Sequence, residues 1–164
     1  TFIYMPANGI VQGMRPIIGY NYGAGESSRV KSTIRYSLLT AAGLMLTGTI
    51  LALALPKQIL ALFDADAALM SAGVTALRII SLGFLVSSVG LIYSGVFEAI
   101  GNGRNSLIIS LLRQFVITIP LSFILTRFFG PTGVWISFPV GELCASAAAF
   151  CLLKKYQNGA FSPL

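Results

Sequence analysis

Apolar segments, each about long enough to cross a bilayer, alternate with short polar loops along the whole chain. We expect membrane spans near residues 1–22, 33–55, 77–100, 106–125 and 134–153. Polar residues inside these segments recur at steps of three or four, which is the period of a helix face. The pattern therefore predicts an all-α integral membrane protein with five transmembrane helices.

The stretch 13–31 connects the first two expected spans. It begins apolar, and from Asn21 onward it has the composition of a turn. Gly23 and Gly25 are free to take positive φ, and Ser27 or Ser28 suits the N-cap of the next helix. We interpret the stretch as the end of one membrane helix, a tight loop and the start of the next.

The composition supports the membrane assignment and argues against a nucleic-acid protein. Charged residues make up 10% of the chain, against roughly 25% in soluble domains, and the mean hydropathy is +0.83. The net charge is +6, but Lys and Arg stand mostly at the ends of apolar runs. That placement is typical of a topology signal, whereas a nucleic-acid binder gathers its charge in one patch.

The loop charges also predict an orientation. Six basic residues (Arg29, Lys31, Arg35, Arg104, Lys154 and Lys155) lie on one expected side of the membrane, against Lys57 and Arg127 on the other. The richer side is expected to be cytoplasmic. Residues 1–156 would then form one transmembrane lobe in a plasma or inner membrane, with residues 157–164 as a cytoplasmic tail.

Ionisable and amide side chains within the spans are the candidate binding residues, since such groups are costly in hydrocarbon and usually face a bundle interior. The candidates for substrate or cation binding are Asn8, Gln12, Arg15, Glu98, Arg113, Gln114 and Glu142. Glu142 stands out because it lies near the middle of its span. We expect Arg113 and Arg15 to lie too far toward the other membrane surface for a direct ion pair with Glu142. Glu98 is expected to pair with Arg104 or Arg113.

Enzymatic chemistry has little support in this sequence. There is no histidine, which removes Ser-His-Asp triads and His-ligated metals. Cys144 and Cys151 are too far apart on one helix for a disulfide and are expected to be packing residues. Asp64 and Asp66 form a lone DxD in a polar stretch, 57–71, that suits a short interfacial helix. We expect no catalytic site, no metal site and no cofactor.

Three motifs resemble the C-terminal lobe of multidrug and toxic compound extrusion (MATE) transporters. They are GMRPIIGYNYGAGESSRVK at 13–31, FEAIGNGRN at 97–105 and GVWISFP at 133–139. They resemble, in order, the second helix of that lobe, the turn after its fourth helix and the start of its last helix. The resemblance covers nearly the whole chain.

The resemblance implies a twelve-helix transporter with two six-helix lobes, of which this chain would supply helices eight to twelve. It implies efflux of drugs or other organic, often cationic, compounds in exchange for H⁺ or Na⁺. The implied partners are a small-molecule substrate, membrane lipid and the N-terminal lobe of the same protein. In the family that these motifs resemble, cation carboxylates lie on helix one and, in some members, on helices seven and ten. At the implied helix ten this sequence has Ser87 and Ser88 in place of an acid.

Two other functions stay open at this point. A flippase of lipid-linked oligosaccharides from the same superfamily would need a strongly cationic cavity for pyrophosphate, to which Arg15 and Arg113 would contribute. A non-transport membrane protein would need a cluster of acids, metal ligands or nucleophiles at one interface. No such cluster is visible in the sequence.

Overall fold

The computed structural model describes residues 4–63 and 66–160, and this part of the chain is built from helices joined by short turns. The helices are α1 (Tyr4–Gly23), α2 (Ser27–Ala54), α3 (Pro56–Ala61), α4 (Ala67–Ser81), α5 (Phe84–Ala99), α6 (Gly103–Leu111), α7 (Ile119–Phe129) and α8 (Pro131–Ala160). A π-helical segment, Leu112–Thr118, joins α6 to α7 without a break. The predicted all-α class is confirmed.

Among the described residues, three stretches are long and apolar enough to cross a membrane: α2, the run from α6 through α7, and α8 up to Tyr156. The α4–α5 pair becomes a fourth if its two bent halves count as one span. The α1 helix has 20 residues but does not qualify by composition, since its polar face carries Asn8, Gln12 and Arg15. Three or four of the five expected spans are therefore supported by length and composition.

The expected continuous helix over 77–100 is wrong, because the chain bends by 53° between α4 and α5. The bend lies at Gly83, where a Cβ would stand 3.0 Å from the Pro139 Cα of α8. The Gly83 N–H bonds the Ile80 carbonyl at 3.0 Å, which closes a tight turn. Close packing against α8 thus requires glycine here, and the packing partner is not visible from the local sequence.

The polar stretch before this bend contains two helices. The α3 helix has six residues and begins at Pro56, where a missing N–H costs nothing. Asp66 is the N-cap of α4, since its carboxylate accepts a 2.7 Å hydrogen bond from the Leu69 N–H. Asp66 therefore has a capping role, and Asp64 lies outside the described residues.

The last helix is longer than the expected span over 134–153. It begins at Pro131, contains Pro139 and continues to Ala160, into the stretch assigned to the tail. Residues 161–164 of that tail lie outside the described part of the chain.

Small and aliphatic residues of α1, α2, α5, α6 and α8 form the core. One cluster is built from Val11, Met14, Ile18, Val30, Ile34, Ala41, Ile92, Val96, Phe97, Ile109, Ala149 and Leu153. A second groups Ala7, Met45, Ala52 and Phe84. On α2, the small residues Ala41, Gly48 and Ala52 are buried, which lets neighbouring helices approach closely.

The α1–α2 loop is a Schellman turn. The Gly25 N–H bonds the Tyr22 carbonyl at 3.1 Å, and the Glu26 N–H bonds the Asn21 carbonyl at 2.9 Å. Gly25 has φ of +75°, as expected, whereas Gly23 lies at the end of α1 without positive φ. The predicted serine N-cap is wrong, because Glu26 takes that position without a side-chain hydrogen bond.

We predict that Gly25→Ala destabilises the protein by about 1–2 kcal/mol, the cost of placing a Cβ on a left-handed residue. Gly23→Ala is the matched control, because a Cβ at either glycine meets no atom within 4 Å and only Gly25 has positive φ. The free energy of unfolding of the purified protein in detergent measures both changes. Equal effects from the two substitutions would contradict the turn assignment.

Candidate functional site

Two ion pairs join different helices inside the bundle, and the first connects α1 to α5. The Arg15 guanidinium contacts the Glu98 carboxylate directly, and Arg15 Nη1 also donates to Gln12 Oε1 at 3.4 Å. Glu98 accepts a 2.7 Å hydrogen bond from the Ser106 hydroxyl of α6, which in turn lies 2.7 Å from the Ser94 hydroxyl. The expected partners of Glu98, Arg104 or Arg113, are therefore wrong.

Close contact between α1 and α5 explains this pairing. A Cβ at Gly19 would lie 3.1 Å from the Ala99 carbonyl oxygen, and one at Gly95 would lie 2.6 Å from Val11 Cγ1. Two helices that approach this closely bring Arg15 within reach of Glu98. Arg104, by contrast, is exposed at the start of α6.

A cavity of about 170 Å³ opens beside this pair, and we name it the Glu98 cavity. It is lined by Asn8, Val11, Arg15, Gly90, Leu91, Ser94, Gly95, Glu98, Ile109, Ser110 and Arg113. Its polar lining comes from four segments, which converge although they are distant in sequence. This convergence of charge and hydroxyl groups in an otherwise apolar bundle is typical of a ligand or ion path.

The second ion pair joins the π-helical segment to α8. Arg113 Nη1 lies 3.7 Å from Glu142 Oε2, and only 15% of the Glu142 side chain is exposed. The expectation that these residues lie at incompatible depths is wrong. That expectation compared backbone positions, and the long arginine side chain covers the remaining distance.

A larger cavity of about 530 Å³ lies in front of Glu142, and we name it the Glu142 cavity. Its lining is mostly apolar and aromatic: Tyr4, Leu77, Ile80, Phe84, Arg113, Gln114, Phe138 and Glu142. Tyr4 donates to the Ser87 hydroxyl at 3.1 Å and packs edge-on against Phe84. The cavity thus combines one carboxylate, one guanidinium and three aromatic rings.

The π-helical turn determines where Arg113 stands. The Thr118 hydroxyl donates to the Arg113 carbonyl at 2.5 Å, across five residues. Pro120 lies two residues after Thr118. It has no N–H to donate to the Val116 carbonyl, and its ring would crowd that carbonyl in a regular helix. A widened turn accommodates this defect, and π turns of this kind are frequent at functional sites.

Glycine 141 allows α8 to pack against that widened turn. A Cβ built at Gly141 would overlap the Thr118 hydroxyl and approach the Arg113 carbonyl oxygen to 3.5 Å. Gly141 precedes Glu142 directly, so the same contact brings the carboxylate beside the guanidinium.

Six of the seven candidate residues line one or both of the two cavities. Asn8, Arg15 and Glu98 line the Glu98 cavity, Gln114 and Glu142 line the Glu142 cavity, and Arg113 lines both. Gln12 is exposed and contributes through its bond to Arg15. The buried stripe of α1 is Ala7, Val11, Met14, Ile18 and Asn21, one position away from the expected polar face.

Tyr4, Phe84 and Phe138 were missed as site residues, because aromatic residues in an apolar run look like ordinary packing. Ser87 accepts the hydrogen bond from Tyr4, a contact that the local sequence does not indicate. In the described residues no three His, Cys, Asp or Glu side chains stand close enough to hold a metal. Both cysteines are free, and they are exposed, so the expectation that they pack in the interior is wrong.

Apolar helices arranged around cross-helix ion pairs and two cavities with charged side chains in their lining define a polytopic membrane bundle. The family model described as MatE matches residues 1–124. The chain therefore belongs to the MATE family.

Relatives with established names are bacterial exporters. The multidrug export protein MepA of Staphylococcus saprophyticus is 28% identical over 141 residues, which is 85% of this chain and 31% of that protein. MepA of Staphylococcus aureus strain RF122 is 30% identical over the same length. The chain thus spans about a third of the length of these relatives.

Solved structures of the family match the fold over almost the whole chain. The MATE multidrug transporter DinF-BH, solved in complex with a small molecule, is 33% identical with a TM-score of 0.87, over 99% of this chain and 36% of that one. A family transporter in its inward-facing conformation has a TM-score of 0.91 at 21% identity, over 98% and 38%. The bundle described above is therefore part of a MATE membrane lobe.

We predict that Glu98→Gln lowers the free energy of unfolding by about 1 kcal/mol, since the Arg15–Glu98 pair is about one-third exposed and solvent weakens its attraction. Arg15→Gln and the double substitution complete a double-mutant cycle, and Arg104→Gln is the exposed-charge control. Chemical unfolding in detergent supplies the four values. Strict additivity of the two substitutions would show that the pair contributes nothing.

Proposed function

We propose that this chain forms most of the C-terminal lobe of a twelve-helix secondary transporter. The transporter exports drugs or other organic, often cationic, compounds in exchange for H⁺ or Na⁺. The observation that carries the proposal is the likeness over 99% of the chain to a multidrug transporter solved with a small molecule bound, at 33% identity. MepA relatives named as multidrug export proteins agree with it.

The geometry supports cation export by the way it distributes charge. Glu142 is the one acid in a cavity whose other lining is largely apolar and aromatic. Aromatic faces attract organic cations, and a carboxylate in an apolar setting adds a specific electrostatic contact. The cavity volume of about 530 Å³ falls within the range of small-molecule sites, which is about 300–1,000 Å³.

The flippase alternative is less well supported by the same charges. Pyrophosphate would need uncompensated cations, but Arg15 is paired with Glu98 and Arg113 stands beside Glu142. The four residues together are therefore neutral when all of them are charged, with Arg113 shared between the two cavities. A lobe with this balance suits cationic and neutral ligands better than a polyanion.

Alternating access would move this lobe against its N-terminal counterpart around a shared path. In this arrangement the C-terminus is cytoplasmic, in agreement with the excess of Lys and Arg on that side. We propose Asn8, Arg15, Glu98, Arg113, Gln114 and Glu142 as the polar lining of the path within this lobe, with Gln12 holding Arg15.

We predict that Glu142→Gln in the full-length transporter reduces ethidium efflux from cells at least tenfold at equal expression. Gln keeps the shape and removes the negative charge that attracts the cation. The order of magnitude is that of one charge contact in a partly buried site, about 1.4 kcal/mol or more. Glu26→Gln, in the exposed α1–α2 loop, is the matched control. Unchanged efflux by Glu142→Gln would assign the residue a structural role only.

A further inference from the structure

Arg113 stands at the boundary between the two cavities. Within the described part of the chain, it is the one residue that lines both the Glu98 cavity and the Glu142 cavity. It is also the cation nearest to Glu142 in this structure. Arg113 therefore lies between two cavities, one lined by Glu98 and the other by Glu142.

The contact between Arg113 and Glu142 is loose. At 3.7 Å it is an ion pair without a hydrogen bond, and Glu142 Oε2 is buried without a hydrogen-bond partner among the described residues. A tight arginine–carboxylate pair forms two parallel hydrogen bonds at about 2.8 Å. The Glu142 Oε2 atom can thus still accept a hydrogen bond or contact a second cation.

The backbone beneath Arg113 is held more firmly than its side chain. Thr118 bonds the Arg113 carbonyl, and Gly141 packs directly against Thr118. These contacts hold the base of the side chain at the boundary, while the guanidinium is about one-third exposed and its charge partner, Glu142, lies 3.7 Å away. Thr118 and Gly141 are therefore positioning residues.

From these observations we propose that Arg113 is a tethered counter-cation that competes with the transported cation for Glu142. In the empty site the guanidinium neutralises Glu142. A monovalent cation that enters the Glu142 cavity takes its place, and the guanidinium turns toward the Glu98 cavity. The inference rests on the proposed export function and assigns a role to one residue within it.

When the Arg113 guanidinium turns into the Glu98 cavity, it finds polar partners there, but weaker ones than Glu142. Ser94, Ser110 and Asn8 offer acceptors there, and Glu98 supplies negative charge. Arg15 already occupies Glu98, so a second guanidinium meets a carboxylate whose charge is largely compensated. Arg113 consequently returns to Glu142 when the cation leaves, which favours release of the bound cation. The competing ligand is a monovalent cation with an aromatic body, because Tyr4, Phe84 and Phe138 line the Glu142 cavity.

The test is the affinity of the purified full-length transporter for ethidium, measured by fluorescence polarisation. Removing the competitor with Arg113→Gln should tighten binding about tenfold, a modest share of the attraction between unit charges at this separation. Glu142→Gln should weaken binding by a similar factor, and the double substitution should behave like Glu142→Gln alone. Arg104→Gln, at the exposed start of α6, should leave the affinity unchanged.

The sign of the Arg113→Gln effect decides the proposal. A purely structural arginine would weaken binding when removed, and weaker or unchanged binding overturns the competition. If Arg113→Gln does not yield folded protein, Arg113→Met preserves the apolar stem and carries the same expectation. Wild-type protein that neither binds nor exports ethidium would overturn the export function for this cation class. Export by the wild type with no gain in Arg113→Gln would overturn this inference alone.

Discussion

The bundle depends on pairing interior charges across helices. A guanidinium or carboxylate in hydrocarbon is tolerated only with a partner or in a polar cavity, and here each partner comes from a different helix. Arg15 of α1 holds Glu98 of α5, and Arg113 beside α6 faces Glu142 of α8. The pairs therefore constrain how four segments stand relative to one another, which apolar packing against equally apolar lipid specifies only weakly.

Two departures from regular helix geometry lie near the second pair. The bend at Gly83 lets α5 turn beneath Pro139 of α8. The π turn ending at Thr118 lets the helix with Arg113 fit against Gly141. Both departures involve a glycine on one helix and a bulky or polar group on its neighbour. The Glu142 cavity lies between the bend and the π turn. Its lining includes Phe84, next to the bend, and Gln114, in the π turn.

Most of the fold was predictable, since apolar length and small-residue faces are local properties. Pro120 indicates a defect in the helix after Gly103, but the local sequence does not say which turn widens or that the widened turn packs against Gly141. The motifs at 13–31 and 97–105 both contain glycines that take positive φ, at Gly25 and Gly101, and both close Schellman turns. Gly23 shows the limit of such reasoning, since composition alone does not say which glycine of a loop is left-handed.

The sequence predicted which residues would form the candidate site. It did not predict which of these residues would pair with each other. Depth estimates from helical rise placed Glu98 with Arg104 or Arg113 and left Glu142 alone, because they ignored side-chain length and which helices are neighbours. The close α1–α5 contact through Gly19 and Gly95 determines the first pair. The role of Tyr4 could not be predicted locally, because its bond to Ser87 spans 83 residues.

The most direct test of this account is the side-chain arrangement of the full-length protein, determined by electron cryomicroscopy without a bound cation. We expect the Arg113 guanidinium within about 4 Å of the Glu142 carboxylate, the ordinary reach of an ion pair, and the Arg15 guanidinium on Glu98. We also expect Tyr4, Phe84 and Phe138 to line the space before Glu142. A structure in which Glu142 pairs with a residue of the other lobe, or in which Arg113 faces lipid, would contradict the account.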